Sequence, residues 1–179
     1  MYSVLPDKQR QLHDRAARFA RDFLASRDDL RDLNLPPAGI GPAFAENGLR
    51  GLALPRKFGG FGGGYLDLAV TADALAHYGG NPGVVLSWQV QEMIARTLFA
   101  GGASAKQKAQ YLPRMSTGEL TAALAVSEPG VGASRNRLAA RAERRGDRFV
   151  LSGEKTFVTN APVADIFIVI AVTGNRDGK

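Results

Sequence analysis

The chain has no cysteine, and only two of its 179 residues are histidines, His13 and His77, far apart in sequence. Disulfides, thiolate metal sites and a cysteine nucleophile are therefore excluded, and two distant imidazoles offer little for a metal cluster. A long apolar run is missing too: none reaches the roughly 18 residues that would span a bilayer, and MYSVLPDKQRQ lacks the basic-then-apolar order of a signal peptide. A cytoplasmic protein with no membrane span is the expectation. Charge of one sign is only in modest excess, 23 Lys and Arg against 17 Asp and Glu, a net +6. That surplus is spread over much of the chain without an aromatic-interleaved basic patch, so no nucleic-acid partner is expected. Phosphate-loop grammar is also absent. The glycine-rich stretch FGGFGGG, Phe58 to Gly64, has neither the Lys-Ser/Thr entry of a Walker loop nor a regular G-x-G-x-x-G behind a strand. Its glycines predict a tight backbone excursion instead.

What is present is globular usage, 45% hydrophobic and 22% charged. Between Pro6 and about Asp29, Leu12, Ala16, Phe19 and Phe23 recur at helical spacing, which predicts an amphipathic helix. LPPAGIGPAFAENG predicts a short helix with Ile40 and Phe44 on one face, closed by Gly48. A third helix is expected from about Asp67 to Tyr78. NPGVVLSWQVQEMIARTLFAGG reads as a long, mostly buried helix ending at Gly101. Ser104 and Gln107 form a capping box for a fifth helix, which Gly118 helps to terminate.

After Glu119 the pattern turns to β. TAALAVS is a compact apolar run, RLAARAERRGDRFVLSGEKTFVT carries a turn signal at Gly146 and Asp147, and DIFIVIAVT is β-branched. The expected fold class is α+β: an all-α helical domain over 1–119, then the first strands of an incomplete β-barrel-like domain over 120–179. Four strands leave open edges that a barrel or two-layer sheet closes with more strands. Either the chain is a fragment or a partner supplies them. Between the regimes stands AVSEPGVGAS, Ala125 to Ser134, which sets a hydroxyl and a carboxylate at Ser127 and Glu128 before a run with almost no side chains.

Three stretches in order, PRKFGGFGGGYLDLAV, SAKQKAQYLPRMSTGELTAALAVSEPGVGAS and GDRFVLSGEKTFVTNAPVADIFIVIAVT, resemble the acyl-CoA dehydrogenase family. The resemblance covers nearly the whole chain, but only the amino-terminal helical domain and the first part of the middle β domain of that family. In relatives a carboxy-terminal helical bundle follows, carrying the catalytic carboxylate and most tetramer contacts. The resemblance implies an FAD-dependent oxidoreductase of fatty acid metabolism acting on CH–CH bonds. Its reaction would be α,β-desaturation of an acyl-CoA or related acyl thioester, in a homotetramer when full length. No catalytic residue is assigned in this chain, which by itself would be inactive without the missing C-terminal domain or a partner chain.

By the same resemblance, Leu124, Val126, Ser127, Ala133, Phe157 and Thr159 would contact the cofactor. Ala133 and Ser134 would lie at the substrate. Ser127 would point its hydroxyl at the flavin's pyrimidine edge, with Gly130, Gly132 and Ala133 allowing close backbone approach. Thr159 would reach the hydride-accepting nitrogen, and Phe157 stands where many relatives carry a ring-packing Trp. Glu128 would support the loop rather than act as a base. The family loop usually ends Gly-Ser-Asp, whereas here it reads Gly132-Ala133-Ser134, leaving open coenzyme A, a carrier-protein pantetheine, or no thioester. Gln91 stands near a position where relatives often show His, and no mechanistic role follows from it. A flavin monooxygenase or acyl-CoA oxidase on the same scaffold, or a non-catalytic interaction module, are the alternatives.

Overall fold

The computed structural model of the chain describes residues 4–31, 39–99, 102–132 and 137–174. Among them, helices α1 (Asp7–Phe19), α2 (Ile40–Glu46), α3 (Tyr65–Gly79), α4 (Pro82–Met93) and α5 (Ala105–Ser116) precede strands β1 (Ala122–Ala125), β2 (Arg141–Arg145), β3 (Arg148–Ser152) and β4 (Ile166–Val169). The order is the expected one, all helix and then strand.

The spacing of Leu12, Ala16 and Phe19 buries one face of α1, which packs along α3 in a core shared with Phe44, Leu75 and Trp88. The first helix differs from the expectation at its end. Beyond Phe19 it widens into a π turn, Ala20–Leu24, closed by the Ala25 amide donating to the Ala20 carbonyl at 2.9 Å. The extra residue in that turn carries Leu24 into the core, 3% exposed, while Phe23 stacks on Phe19. The fourth helix likewise continues as a π stretch, Ile94–Phe99, and its expected end at Gly101 lies outside the described residues.

Local signals set the other boundaries. Ser104 accepts from the Gln107 amide while Gln107 reaches back to the Ser104 amide, so the capping box forms as read. Gly118 follows α5 at φ +74, and a Cβ there would lie 2.3 Å from the Gly41 carbonyl, so the helix end and the α2 entry touch through bare backbone. The Phe58–Gly64 loop folds back on 51–54: the amides of Phe61, Gly62 and Gly63 donate to the carbonyls of Gly51, Leu54 and Leu52. A Cβ on Gly60 would sit 2.3 Å from the Leu54 carbonyl oxygen, which is why this turn is so poor in side chains.

Two polar stripes on α4 tie the halves together. Trp88 and Glu92, one turn apart, face the 49–54 loop: the Trp88 indole donates to the Leu49 carbonyl at 2.6 Å and Glu92 accepts from the Gly51 amide at 2.8 Å. Ser87 and Gln91 face the β residues. Gln91, 1% exposed, donates to the Leu120 carbonyl and accepts from the Ala122 amide. A second core then joins Ile94, Leu112 and Met115 of the helices to Leu120 and Ala122, with Leu124, Ile166 and Ile168 packed against it. The helices therefore share their core with β1 and β4.

The strands make two pairs. β1 runs parallel to β4, Ala122 to Ala125 opposite Ile166 to Val169, and β2 runs antiparallel to β3 around the Gly146–Asp147 turn. One bridge, Arg141 to Val172, joins the pairs. The result is an open β unit in which Phe149 and Leu151 of β3 are exposed.

Candidate functional site

β1 emerges from the shared core between α4 and β4, and its last residue leads directly into the Val126–Gly132 loop. The loop turns at Pro129 and Gly130, where Gly130 takes φ +70 and the Val131 amide donates to the Glu128 carbonyl at 3.1 Å. Ser127 at its start is exposed, and Leu124 and Val126 are half-buried. Ala133 and Ser134 lie outside the described residues.

Glu128 is 5% exposed and organises everything around it. Its carboxylate accepts from the amides of Ala139 at 2.6 Å and Ala140 at 3.0 Å, and from Lys155 Nζ at 2.7 Å. Those donors outweigh burial: the Ala139 amide foremost, then Lys155, hold the carboxyl down at about 2. A carboxylate held by three donors and kept ionised this strongly is a weak proton acceptor and serves as a structural anchor for the loop. Lys155 also donates to the Val126 carbonyl at 2.9 Å, and the Thr156 amide donates to the Ser127 carbonyl at 2.9 Å. The 153–161 segment is thereby stitched along the end of β1.

The segment ends as firmly as it begins. Asn160, 7% exposed at φ +69, accepts from the Ser87 hydroxyl at 2.6 Å and donates back to the Ser87 carbonyl at 3.3 Å. Between the Lys155 and Asn160 anchors stand Phe157, at φ +54 and 93% exposed, and half-buried Thr159. Phe157 is not a strand residue, since β3 ends at Ser152. A bulky side chain held in the left-handed region and facing solvent carries a strain of about 1–3 kcal/mol that the surrounding anchors over-determine, a pattern of binding surfaces.

These observations test whether a flavin fits. A planar ring needs an aromatic face free to pack, polar groups at its edge and backbone it can approach. Phe157 offers the first and the hydroxyls of Ser127 and Thr159 the second. Around Gly130 and Gly132 an added Cβ would meet nothing within 4 Å, which leaves open space beside the loop. The residues fit. Sequence reasoning missed Lys155, Asn160 and Ser87, the groups that hold these side chains in place. Asn160 and Lys155 were visible only as polar residues inside GEKTFVTNA, and their partners lie 27 to 73 positions away.

The Glu128 anchor predicts an acid-sensitive fold. A carboxyl depressed from 4.5 to about 2 contributes stability that is fully present above its unfolded pKa and is lost as pH falls through the folded one. Denaturation midpoints measured between about pH 6 and pH 2 should therefore fall for the parent, and Glu128→Gln should flatten that acid limb. Parallel pH profiles for the two proteins would remove the anchor from the account.

Comparison with known proteins matches this arrangement twice over. A family model described as "Acyl-CoA dehydrogenase, N-terminal domain" matches residues 6–119, and one described as "Acyl-CoA dehydrogenase, middle domain" matches residues 123–179. Mitochondrial isovaleryl-CoA dehydrogenase of Pongo abelii is 30% identical over 94% of this chain and 40% of its own length. The structure described as an FAD complex of PigA superposes with TM-score 0.87 at 30% identity, over 99% of this chain and 47% of that one. The prolyl acyl carrier protein oxidase AnaB superposes with TM-score 0.84 at 25% identity, over 94% and 45% respectively. The chain spans less than half the length of each of these proteins.

Proposed function

The chain belongs to the acyl-CoA dehydrogenase family, and from that membership we propose that it supplies one wall of the flavin site of an FAD-dependent enzyme that desaturates an acyl thioester between its α and β carbons. The observation that supports this reading is the pair of anchors, Glu128–Lys155 and Ser87–Asn160, that hold the segment carrying Phe157 and Thr159 between the Ser127 loop and α4. FAD, when bound, supplies the hydride acceptor for this chemistry. The chain's residues would bind and orient it: Phe157 would pack against its ring, and the hydroxyls of Ser127 and Thr159 would donate to its polar atoms, favouring the reduced form as negative charge gathers there. Leu124 and Val126 wall the same edge, and Ala133 and Ser134 continue toward the thioester. The base that removes the α-proton is not among these residues. In this reading 1–119 and 120–179 are the helical and middle domains, a carboxy-terminal portion completes a cytoplasmic homotetramer, and no helix of the described residues is long and apolar enough to cross a membrane.

The test is spectroscopic. The protein assembled with its carboxy-terminal portion should take up FAD and bleach anaerobically on adding an acyl thioester. Reduction only by an external flavin or nicotinamide donor would overturn desaturation in favour of monooxygenase chemistry. In the same preparation Thr159→Val, nearly isosteric, should slow flavin reduction about two- to tenfold, the worth of one neutral hydrogen bond at about 0.5–1.5 kcal/mol. An unchanged reduction rate and flavin potential would remove Thr159 from the site.

A further inference from the structure

The β2–β3 hairpin carries a charge the flavin-side reading does not use. Between Arg137 and Arg148 five arginines stand against Glu143 and Asp147, a surplus of three in a chain of net +6. All five arginines are exposed. The cross-strand register, Arg141 opposite Ser152, Glu143 opposite Val150 and Arg145 opposite Arg148, sets Arg141, Arg145 and Arg148 on one face with a single acid. That acid neutralises little: Arg145 and Glu143 are 3.5 Å apart with side chains 70% and 62% exposed, and Arg148 meets Asp147 at 3.6 Å, both almost fully exposed. Two arginines directly opposite each other at the turn repel in the free chain, and an acidic partner would relieve that repulsion.

The position of the face gives it a purpose. Both ends of the hairpin are fixed at the flavin loop, through the Ala139 and Ala140 amides before β2 and Lys155 just after β3, all on Glu128. From Arg141 at that base to Arg145 at the turn is about 13 Å of extended strand. The arginines therefore lead outward from the Ser127–Gly132 loop over the reach of an extended pantetheine arm. The residues of this face are exposed along its whole length, which suits a protein partner.

We propose that the Arg141–Arg145–Arg148 face of the β2–β3 hairpin docks an acidic acyl-carrier protein, whose pantetheine-linked acyl group is delivered to the Ser127–Gly132 loop. This rests on the acyl-thioester reading above, and its test is a binding measurement that needs no turnover. The probe is a purified acidic acyl-carrier protein with its pantetheine arm, presented to the parent chain and to Arg145→Glu/Arg148→Glu at low and at raised salt. Association should be salt-dependent and should fall about tenfold or more in the double variant, as expected when a steering field is reversed. Circular dichroism should show the two proteins equally folded, and if the pair misfolds, the milder Arg145→Gln/Arg148→Gln carries the same comparison. No carrier binding by the parent, or binding indifferent to the substitutions, would overturn the proposal. Equal loss of acyl-CoA binding would assign the arginines to the nucleotide's phosphates, and equally tight binding of a DNA oligomer would reduce them to a general polyanion surface; either result also overturns it. Loss of carrier binding with bleaching by acyl thioesters intact leaves the functional reading standing, whereas carrier binding without any bleaching would count against that reading alone.

Discussion

Replacing Glu92 with leucine should cost about 3–5 kcal/mol of stability, and adding Arg50→Leu to the same protein should recover about half of it. Both side chains are buried, Arg50 at 5% and Glu92 at 1% exposed. Burial pushes the Glu92 carboxyl up and the Arg50 guanidinium down, and the attraction between them opposes both shifts. Glu92 sits on α4 and takes the Gly51 amide on one carboxylate oxygen at 2.8 Å. Arg50 reaches the Met115 carbonyl on α5 at 3.4 Å. Removing only the acid leaves an uncompensated cation inside the protein, the expensive case. Removing both leaves apolar volume and an orphaned Gly51 amide, a residual cost of about 1–3 kcal/mol. Urea unfolding of the parent, the single variants and the double variant would measure the coupling. If the double variant were as unstable as Glu92→Leu alone, the 49–54 loop would owe its place to its amide contacts and not to the charge pair.

The same helix shows where the sequence was legible and where it was not. The capping box at Ser104 and Gln107 and the glycines at 48 and 118 work through bonds spanning a few residues, so their patterns announce them. On α4 the sequence reads as a mostly buried helix but does not say where its polar residues go, and Gln91 and Glu92 are almost fully buried. Their partners, Leu120, Ala122 and Gly51, lie 29 to 41 positions away, and nothing local distinguishes a solvated glutamate from one capping a distant loop. The π turn after Phe19 is invisible for a related reason, since the hydrophobic spacing fits an unbroken helix until Leu24 needs a place in the core. At the candidate site the residues that would face a flavin could be named from resemblance. The side chains that hold them could not, because Lys155 and Asn160 act only once β1, the 153–161 segment and α4 have come together.

Those holding groups yield the sharpest functional expectation. In the assembled flavoprotein Lys155→Met should weaken FAD binding about ten- to hundredfold while leaving the helical region folded. Lys155 Nζ bonds both the Val126 carbonyl, at 2.9 Å, and the Glu128 carboxylate, at 2.7 Å, with its side chain only 10% exposed. Methionine keeps the length and apolar stem, so packing changes little. What goes is the charged donor: a hydrogen bond from an ammonium is worth about 1.5–3 kcal/mol, which converts to the stated range in affinity if the loop must be re-ordered on binding. Glu128 then lies buried with its amide donors and no counter-charge, so its carboxyl should titrate higher than in the parent. That second consequence separates positioning from general damage. A protein that has merely lost stability would show lower melting temperatures at every pH, whereas loss of this tie should shift the acid limb toward neutral pH and make the loss of FAD affinity grow as pH falls through the new pKa. Flavin fluorescence titrations at several pH values, set beside Lys155→Arg as the variant that keeps the charge, would measure both. FAD affinity equal in Lys155→Met and the parent would show that the 126–132 loop holds its shape without the lysine.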